Sequence, residues 1–247
     1  MTDQCNLKCA SCLHFSCLVT KPYFKDLESF EREAKRISEV CGDTNDIMYN
    51  LLGGEPLLHP LVSEFPKIVR KYIPGADIVL TTNGILLNKL TDKQVKDLND
   101  MNVLISVSNY GMIDFSEIGK RFKRFDLMER GKMYSTCFDL HGGQDINVSY
   151  ANCDQQHKDK QWGCAVLRDG KLYPCPMSAY MDVFMEYYHL DLKEFREQGI
   201  DIFRHSEEEI DKYLNTPTSA CRYCKTTERY KTFKDFSISN RDIKEWL

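Results

Sequence analysis

The sequence predicts an α/β protein whose larger part is a parallel sheet with helical crossovers. Three observations carry that expectation. Apolar runs begin near residues 46, 77 and 103, and each is followed by a stretch of helical periodicity. Such alternation implies parallel strands joined by right-handed crossovers. The runs are continuously apolar, as strands are when helices cover a sheet. Beyond about residue 150 the rhythm changes to short hairpin and helix segments. The expected division is therefore 1–150 and a smaller α+β domain, 151–247.

The elements follow in order. Leu27, Phe30, Ala34, Ile37 and Cys41 recur at helical spacing, with Gly42 as a stop. DIMYNLLGGEP reads as a buried strand ending in glycines. HPLVSEFPKIVRKYIPG reads as a helix with Pro60 in its first turn and Pro66 as a kink. ADIVLTTNG is a second strand, TDKQVKDLNDM a helix capped by Thr91, and NVLISVSNYG a third strand. DFSEIGKRFKRF reads as a short helix with a basic, solvated face. CAVLRDGKLYPC is a hairpin with Asp169-Gly170 as its two-residue turn. A helix near 177–189 follows, then LDLKEFREQG, SEEEIDKYLN and CRYCK.

Three strands end alike, in Gly53-Gly54-Glu55-Pro56, Thr81-Thr82-Asn83-Gly84 and Ser108-Asn109-Tyr110-Gly111. Parallel α/β architectures bind ligands at the carboxyl ends of their strands. Glycine there allows a close approach to the backbone. These ends form the expected ligand-binding rim.

Composition narrows the classes. The chain has 247 residues, 28% of them charged, and a net charge of −4. A phosphate-tracking surface needs a basic excess, so nucleic acid is not an expected partner. No apolar run is long enough to span a bilayer, and polar residues and cysteines occupy the N-terminus where a signal peptide would be apolar. A cytoplasmic, reducing setting is expected, with no membrane partner. There the odd count of 11 cysteines disfavours a disulfide framework. Their grouping near both ends suggests two metal sites.

Cys5, Cys9 and Cys12 are spaced C-x3-C-x2-C. Three thiolates without a regularly spaced fourth suit a 4Fe-4S cluster better than structural zinc, which closes its shell with four ligands. One iron is then left without a protein ligand.

With GGEP at 53–56 and TNG at 82–84, this cysteine spacing resembles the radical S-adenosylmethionine (SAM) superfamily over roughly residues 1–130. The resemblance implies a partial parallel (β/α) barrel of radical SAM type. It implies that Cys5, Cys9 and Cys12 hold a 4Fe-4S cluster whose open iron takes the amino and carboxylate groups of SAM. Gly53, Gly54, Glu55 and Pro56 would lie at the methionine moiety, and Thr82, Asn83, Ser106 and Ser108, on later strands, at the ribose and adenine. Many members carry an aromatic residue just before the third cysteine. Here it is Ser11, so an adenine contact would come from Leu13 or Phe15. Only four residues precede Cys5, so the first barrel strand is missing or the barrel is short, and a sheet edge beside the cluster is expected to be open.

The second group reads from the hairpin. With Asp169-Gly170 as the turn, Arg168 faces Lys171, Leu167 faces Leu172, Val166 faces Tyr173, and Cys164 faces Cys175. Cys221 and Cys224 add a C-x2-C loop, and four thiolates complete a site. Cys153 is the rival for Cys164, which the hairpin geometry favours. This half resembles the twitch domain, a short form of the SPASM domain, which implies a second, auxiliary 4Fe-4S cluster. A four-cysteine zinc site uses the same ligands and stays open.

The single-twitch pattern is similar to that of the 2-deoxy-scyllo-inosamine dehydrogenases. The similarity implies a radical SAM oxidoreductase acting on a sugar or aminocyclitol, by dehydrogenation or epimerisation. A ribosomal-peptide maturase acting on a short peptide is the alternative, and a non-catalytic iron–sulfur scaffold is another. An electron donor such as flavodoxin or ferredoxin would be a partner. His141, Gly142, Gly143 and Asp145 form a polar stretch that could line a substrate pocket, and His14 adjoins the cysteine loop. No residue is singled out as the catalytic base.

Overall fold

The computed structural model describes residues 1–41, 47–134, 137–155, 163–229 and 233–247. They form two compact units, Met1–Leu7 with Lys21–Gly131, and Lys8–Thr20 with Lys132–Leu247. The division thus falls near 131 rather than 150, and a segment of the cysteine loop belongs to the second unit. Among the described residues no helix is long and apolar enough to cross a membrane.

The first unit is the expected parallel α/β layer. Helix α1 (Leu27–Val40) starts at Asp26, whose side chain accepts a hydrogen bond from the Ser29 amide at 2.8 Å. It buries Phe30, Ala34, Ile37 and Val40, together with Glu33, which pairs with Lys25 at 2.6 Å. The stop expected at Gly42 lies outside the described residues. Strand β1 (Met48–Leu51) precedes α2 (Phe65–Tyr72), which is shorter than its sequence reading. Pro66 sits in the first turn of α2, where its missing N–H costs nothing, and is not a kink. Strand β2 (Asp77–Thr82) leads to α3 (Asp92–Asp100), which carries a full capping box between Thr91 and Gln94. Strand β3 (Leu104–Asn109) follows.

A fourth strand, β4 (Arg124–Glu129), occupies residues whose start was read as helix. The GKRFKRF stretch is a one-turn 3-10 segment, Ile118–Arg121, running into β4, and two of its basic residues are tied down as ion pairs, Arg121 to Asp92 and Arg124 to Asp77. The strand was concealed because β4 is an edge strand with Asp126 and Leu127 exposed, so it lacks a buried strand's continuous apolar run. The sheet order is β1-β2-β3-β4, all parallel. Ile78, Leu80, Ile105 and Val107 are fully buried at its centre.

Residues 1–4 take the place of a first strand at the level of the rim. The Met1 nitrogen donates to the Leu52 carbonyl at 2.9 Å, and the amides of Gly54 and Glu55 donate to the carbonyls of Thr2 and Gln4, each at 2.7 Å. These bonds cover residues 52–55, while β1 itself stands at the end of the sheet order.

The second unit is α+β. Strand β5 (Lys132–Tyr134) pairs antiparallel with the last strand. Helix α4 (Ile146–Ala151) is followed by the hairpin β6 (Val166–Arg168) and β7 (Lys171–Tyr173). Its register is the one expected, and Asp169 and Gly170 both have positive φ, 50° and 76°, as a type I′ turn requires. Then come α5 (Pro176–Tyr188), α6 (Lys193–Arg196), β8 (Ile200–Asp201), which extends the hairpin, α7 (Glu207–Leu214), α8 (Thr226–Arg229) and β9 (Phe233–Asp235). The core packs Phe15, Phe138, Phe184 and Trp246 in mutual ring contact.

Candidate cofactor site

In the first unit two of the three strand ends are joined through one carboxylate. Glu55 is 1% exposed. Its Oε1 accepts hydrogen bonds from the Leu57 amide at 2.9 Å and the Thr82 hydroxyl at 2.7 Å, and its Oε2 accepts one from the Asn83 amide at 2.9 Å. Burial pushes the carboxyl above its ordinary range, and the three donors oppose that. The side chain therefore ties the end of β1 to the end of β2. Pro56, also buried, opens a 3-10 turn, Pro56–Leu58, immediately after it.

The glycines before Glu55 are explained by packing within the chain. A Cβ on Gly54 would lie 1.9 Å from the Gln4 carbonyl oxygen, and one on Gly53 would lie 2.4 Å from that of Thr2. The close approach foreseen for a ligand is made here by the segment that leads into Cys5.

Asn83 links the rim to that cysteine. Its Nδ2 donates to Asn6 Oδ1 at 2.8 Å and lies 3.6 Å from Cys5 Sγ, while its Oδ1 accepts from the Ile85 amide at 3.0 Å. The Leu7 amide donates to the same sulfur at 3.3 Å. Two N–H donors aimed at one sulfur suit a thiolate, and hydrogen bonds to the sulfurs are among the features that set a cluster's potential. Thr82 is buried, and its hydroxyl also accepts from the Gly84 amide. Ser106 is buried in mid-strand opposite Thr81 and Asp126, and Ser108 lies two residues further along the same face of β3.

The rest of the cysteine loop is built into the second unit. Cys9 bridges Ile238, flanked by hydrogen bonds from the Ala10 amide to the Ser237 carbonyl and from the Ser239 amide to the Lys8 carbonyl. The Cys12 carbonyl accepts from the Trp246 indole N–H and from the Phe15 amide, each at 3.1 Å. Phe15 is fully buried in the aromatic core, so it is not placed to stack on an adenine, and Leu13, half-buried, remains of the two expected. His14 packs edge-on against Tyr180 with ring centres 4.8 Å apart, its Nε2 is buried without a hydrogen-bond partner, and desolvation pulls its pKa down to about 4. It is a neutral imidazole. Buried nitrogens without partners flank the cysteines on both sides, Gln4 Nε2 before Cys5 and His14 Nε2 after Cys12. The thiol spacing and the donors on Cys5 fit an anionic iron–sulfur group.

The remaining thiols gather elsewhere in the second unit. One cavity is lined by Cys153, Cys175, Cys221 and Cys224, with Tyr150, Met177, Phe195 and Thr218 around them. Cys153, the rival candidate, is in its lining, and Cys164 is not. The hairpin register is right only as far as Val166 and Tyr173. Beyond it Cys175 becomes the N-cap of α5, its sulfur accepting from the Ser178 amide at 3.5 Å, while the Cys164 amide turns to the Gln155 carbonyl. The four-cysteine donor set fits an auxiliary cluster or a zinc ion alike. Among the described residues no three His, Cys, Asp or Glu side chains are close enough to hold a single metal ion.

The polar stretch at 139–145 is spent on local structure. Asp139 accepts from the amides of His141 and Gly143 and from the Gln144 side chain, Asp145 caps α4, and His141 is exposed. What sequence reasoning missed is Trp246. Nothing local relates it to Cys12, and only its being one of two tryptophans marks it out.

Part of the chain matches curated relatives. GTP 3',8-cyclase of Microcystis aeruginosa is 33% identical over 92 residues, covering 37% of this chain and 28% of the relative. GTP 3',8-cyclase of a Sulfurovum species is 35% identical over 107 residues, covering 40% and 31%. The chain thus spans about a third of the length of these relatives. The crystal structure of BtrN in complex with AdoMet and 2-DOIA superposes with a TM-score of 0.55 at 19% identity, over 94% of this chain and 95% of that one, and shows a shared fold. The model of the radical SAM superfamily matches residues 1–112, the stretch that holds the cysteine loop, the GGEP turn and the parallel strands up to β3.

Proposed function

We propose that the protein is a radical SAM oxidoreductase that dehydrogenates a secondary alcohol of a small hydroxylated ring, a sugar or aminocyclitol. The observation that carries the reading is the second set of thiols, Cys153, Cys175, Cys221 and Cys224, around one cavity of a chain that also has the C-x3-C-x2-C loop. When bound, the two clusters and SAM supply a 5′-deoxyadenosyl radical that removes a hydrogen atom and an acceptor for the one electron the substrate must still lose.

The chain's own residues supply aim. Asn83 and the Leu7 amide orient the Cys5 sulfur, and Glu55 locks the strand ends behind it. Both Glu55 oxygens and the amides of Gly54 and Glu55 are engaged inside the protein, so at this motif they hold the rim in shape behind the methionine moiety. The shared fold with BtrN, whose complex holds AdoMet and 2-DOIA, supports a substrate of that size. The cyclase relatives match less than half of this chain, so their activity is not carried over to it. A reduced flavodoxin or ferredoxin would deliver the first electron.

The test is anaerobic. Iron-replete protein is incubated with SAM and dithionite, and 5′-deoxyadenosine is followed by mass spectrometry with ring-deuterated sugars and cyclitols. Deuterium in the 5′-deoxyadenosine and a ketone product are expected, and Cys9→Ala should give neither. Failure of the iron-replete protein to form 5′-deoxyadenosine refutes the proposal.

A further inference from the structure

Two of the three cysteines in the N-terminal loop are held by residues more than 200 positions away. The segment 237–246 meets residues 8–12 at four points. The Ala10 amide donates to the Ser237 carbonyl at 3.0 Å, and the Ser239 amide to the Lys8 carbonyl at 2.7 Å. The Ser11 hydroxyl donates to the Glu245 carbonyl, and the Trp246 indole N–H to the Cys12 carbonyl at 3.1 Å. The loop is irregular backbone, with Ser11 in the left-handed region at φ 56°. Its polar main-chain groups have no ladder of their own and need partners. The distant segment provides them.

The segment is itself braced. Asn240 and Lys244 amides bond to the Glu245 and Asp242 side chains, the Asp242 amide bonds to the Asn240 side chain, and the Arg241 amide bonds to the Ser239 hydroxyl. Its end is anchored where Trp246 is fully buried against Phe15, Phe184 and Tyr188, and the Trp246 carbonyl accepts from the Phe138 amide at 2.6 Å. Phe138 in turn bridges Cys224, one of the cavity thiols.

We propose that Ser237–Trp246 is a positioning strap for the cluster loop, and that the Trp246 indole N–H and the Ser11 hydroxyl are the side-chain contacts that fix Cys9 and Cys12 in the geometry the cluster needs. This rests on the reading of those cysteines as cluster ligands. Trp246 and Ser11 are positioning residues. They act through the loop backbone.

The test uses the full chain, reconstituted anaerobically with iron and sulfide. Trp246→Phe keeps the ring and removes the N–H, and Ser11→Ala removes the hydroxyl at a second, independent point. The readout is the electron paramagnetic resonance signal of the dithionite-reduced protein with and without SAM, because only a cluster with an open iron changes its signal when SAM is added. Its decay in the presence of a chelator is followed alongside far-UV circular dichroism. Each variant should keep the wild-type dichroism and lose the SAM-responsive signal about fivefold faster, as expected for one lost hydrogen bond. The double variant should lose it more than about tenfold faster. Wild-type decay and an unchanged SAM-shifted spectrum in both single variants would overturn the strap. A wild-type protein whose signal ignores SAM would instead sink the functional reading beneath it, so the two failures are told apart by the wild-type spectrum alone.

Discussion

Gly54→Ala gives the sharpest test of how the rim is built. The added Cβ would sit 1.9 Å from the Gln4 carbonyl oxygen, 2.4 Å from the Gln4 carbonyl carbon and 2.7 Å from the Asp3 carbonyl oxygen. Ordinary contact begins at 3.4 Å, so the segment of residues 2–4 must retreat by about 1.5 Å. Every atom in the way is main chain, so no side chain can rotate to make room. A retreat of that size breaks the two hydrogen bonds of 2.7 Å that Gly54 and Glu55 donate to Thr2 and Gln4. At about 0.5–1.5 kcal/mol each, their loss costs roughly 1–3 kcal/mol before any strain is added. The same movement carries Cys5, the next residue, away from Asn83. Urea unfolding of the metal-free protein should therefore show a midpoint lowered by that free energy divided by the slope, with the slope unchanged. Anaerobically reconstituted protein should also have lost the SAM-responsive signal. A variant with the wild-type midpoint and full signal would refute the claim that residues 1–4 pack against these glycines.

Three further outcomes are expected. Glu55→Gln places an amide where one of two accepting oxygens stood, leaving the buried Thr82 hydroxyl or Asn83 amide without its acceptor, and should cost about 2 kcal/mol in urea unfolding. Cys153→Ser should lower the iron or zinc content of the reconstituted protein while Cys164→Ser leaves it unchanged, because only Cys153 lines the four-thiol cavity, and the reverse pattern would restore the hairpin reading. Asp97 is held down to about 2, from 3.8, by Lys93 and Lys67. A depressed folded-state value means that its stabilisation is complete above about pH 4 and is lost as pH falls towards 2. Lys93 is 75% exposed, so solvent screening limits the effect to roughly 0.5–1 kcal/mol. Asp97→Asn should flatten the urea midpoint against pH across that window, and an equally steep profile in the variant would exclude the assignment.

Much of the fold was legible because its signals are local. The capping pair Thr91 and Gln94 lies within one helical turn, and Asp169-Gly170 fixes its hairpin register by turn geometry alone. Strand β4 was not legible, since an edge strand with exposed Asp126 and Leu127 carries neither a buried run nor a clean alternation. The α2 start shifted because Pro60 and Pro66 both satisfy the sequence rule for a first turn, and only packing chose Pro66.

For the site, covalent spacing was decisive where all the chemistry sits in a few residues. Cys5, Cys9 and Cys12, and the GGEP that follows, could be read as a cofactor loop and rim because the chain cannot separate neighbours by more than its own length. Tertiary structure alone decided the longer-range matters. It put Cys153 in the lining of the four-thiol cavity, gave the Gly53 and Gly54 approach to residues 2–4, and set Trp246 beneath Cys12. Each of those contacts joins loops whose paths follow no periodicity. They are fixed instead by where buried main-chain donors and acceptors find partners, a condition that is met only once the whole chain has folded.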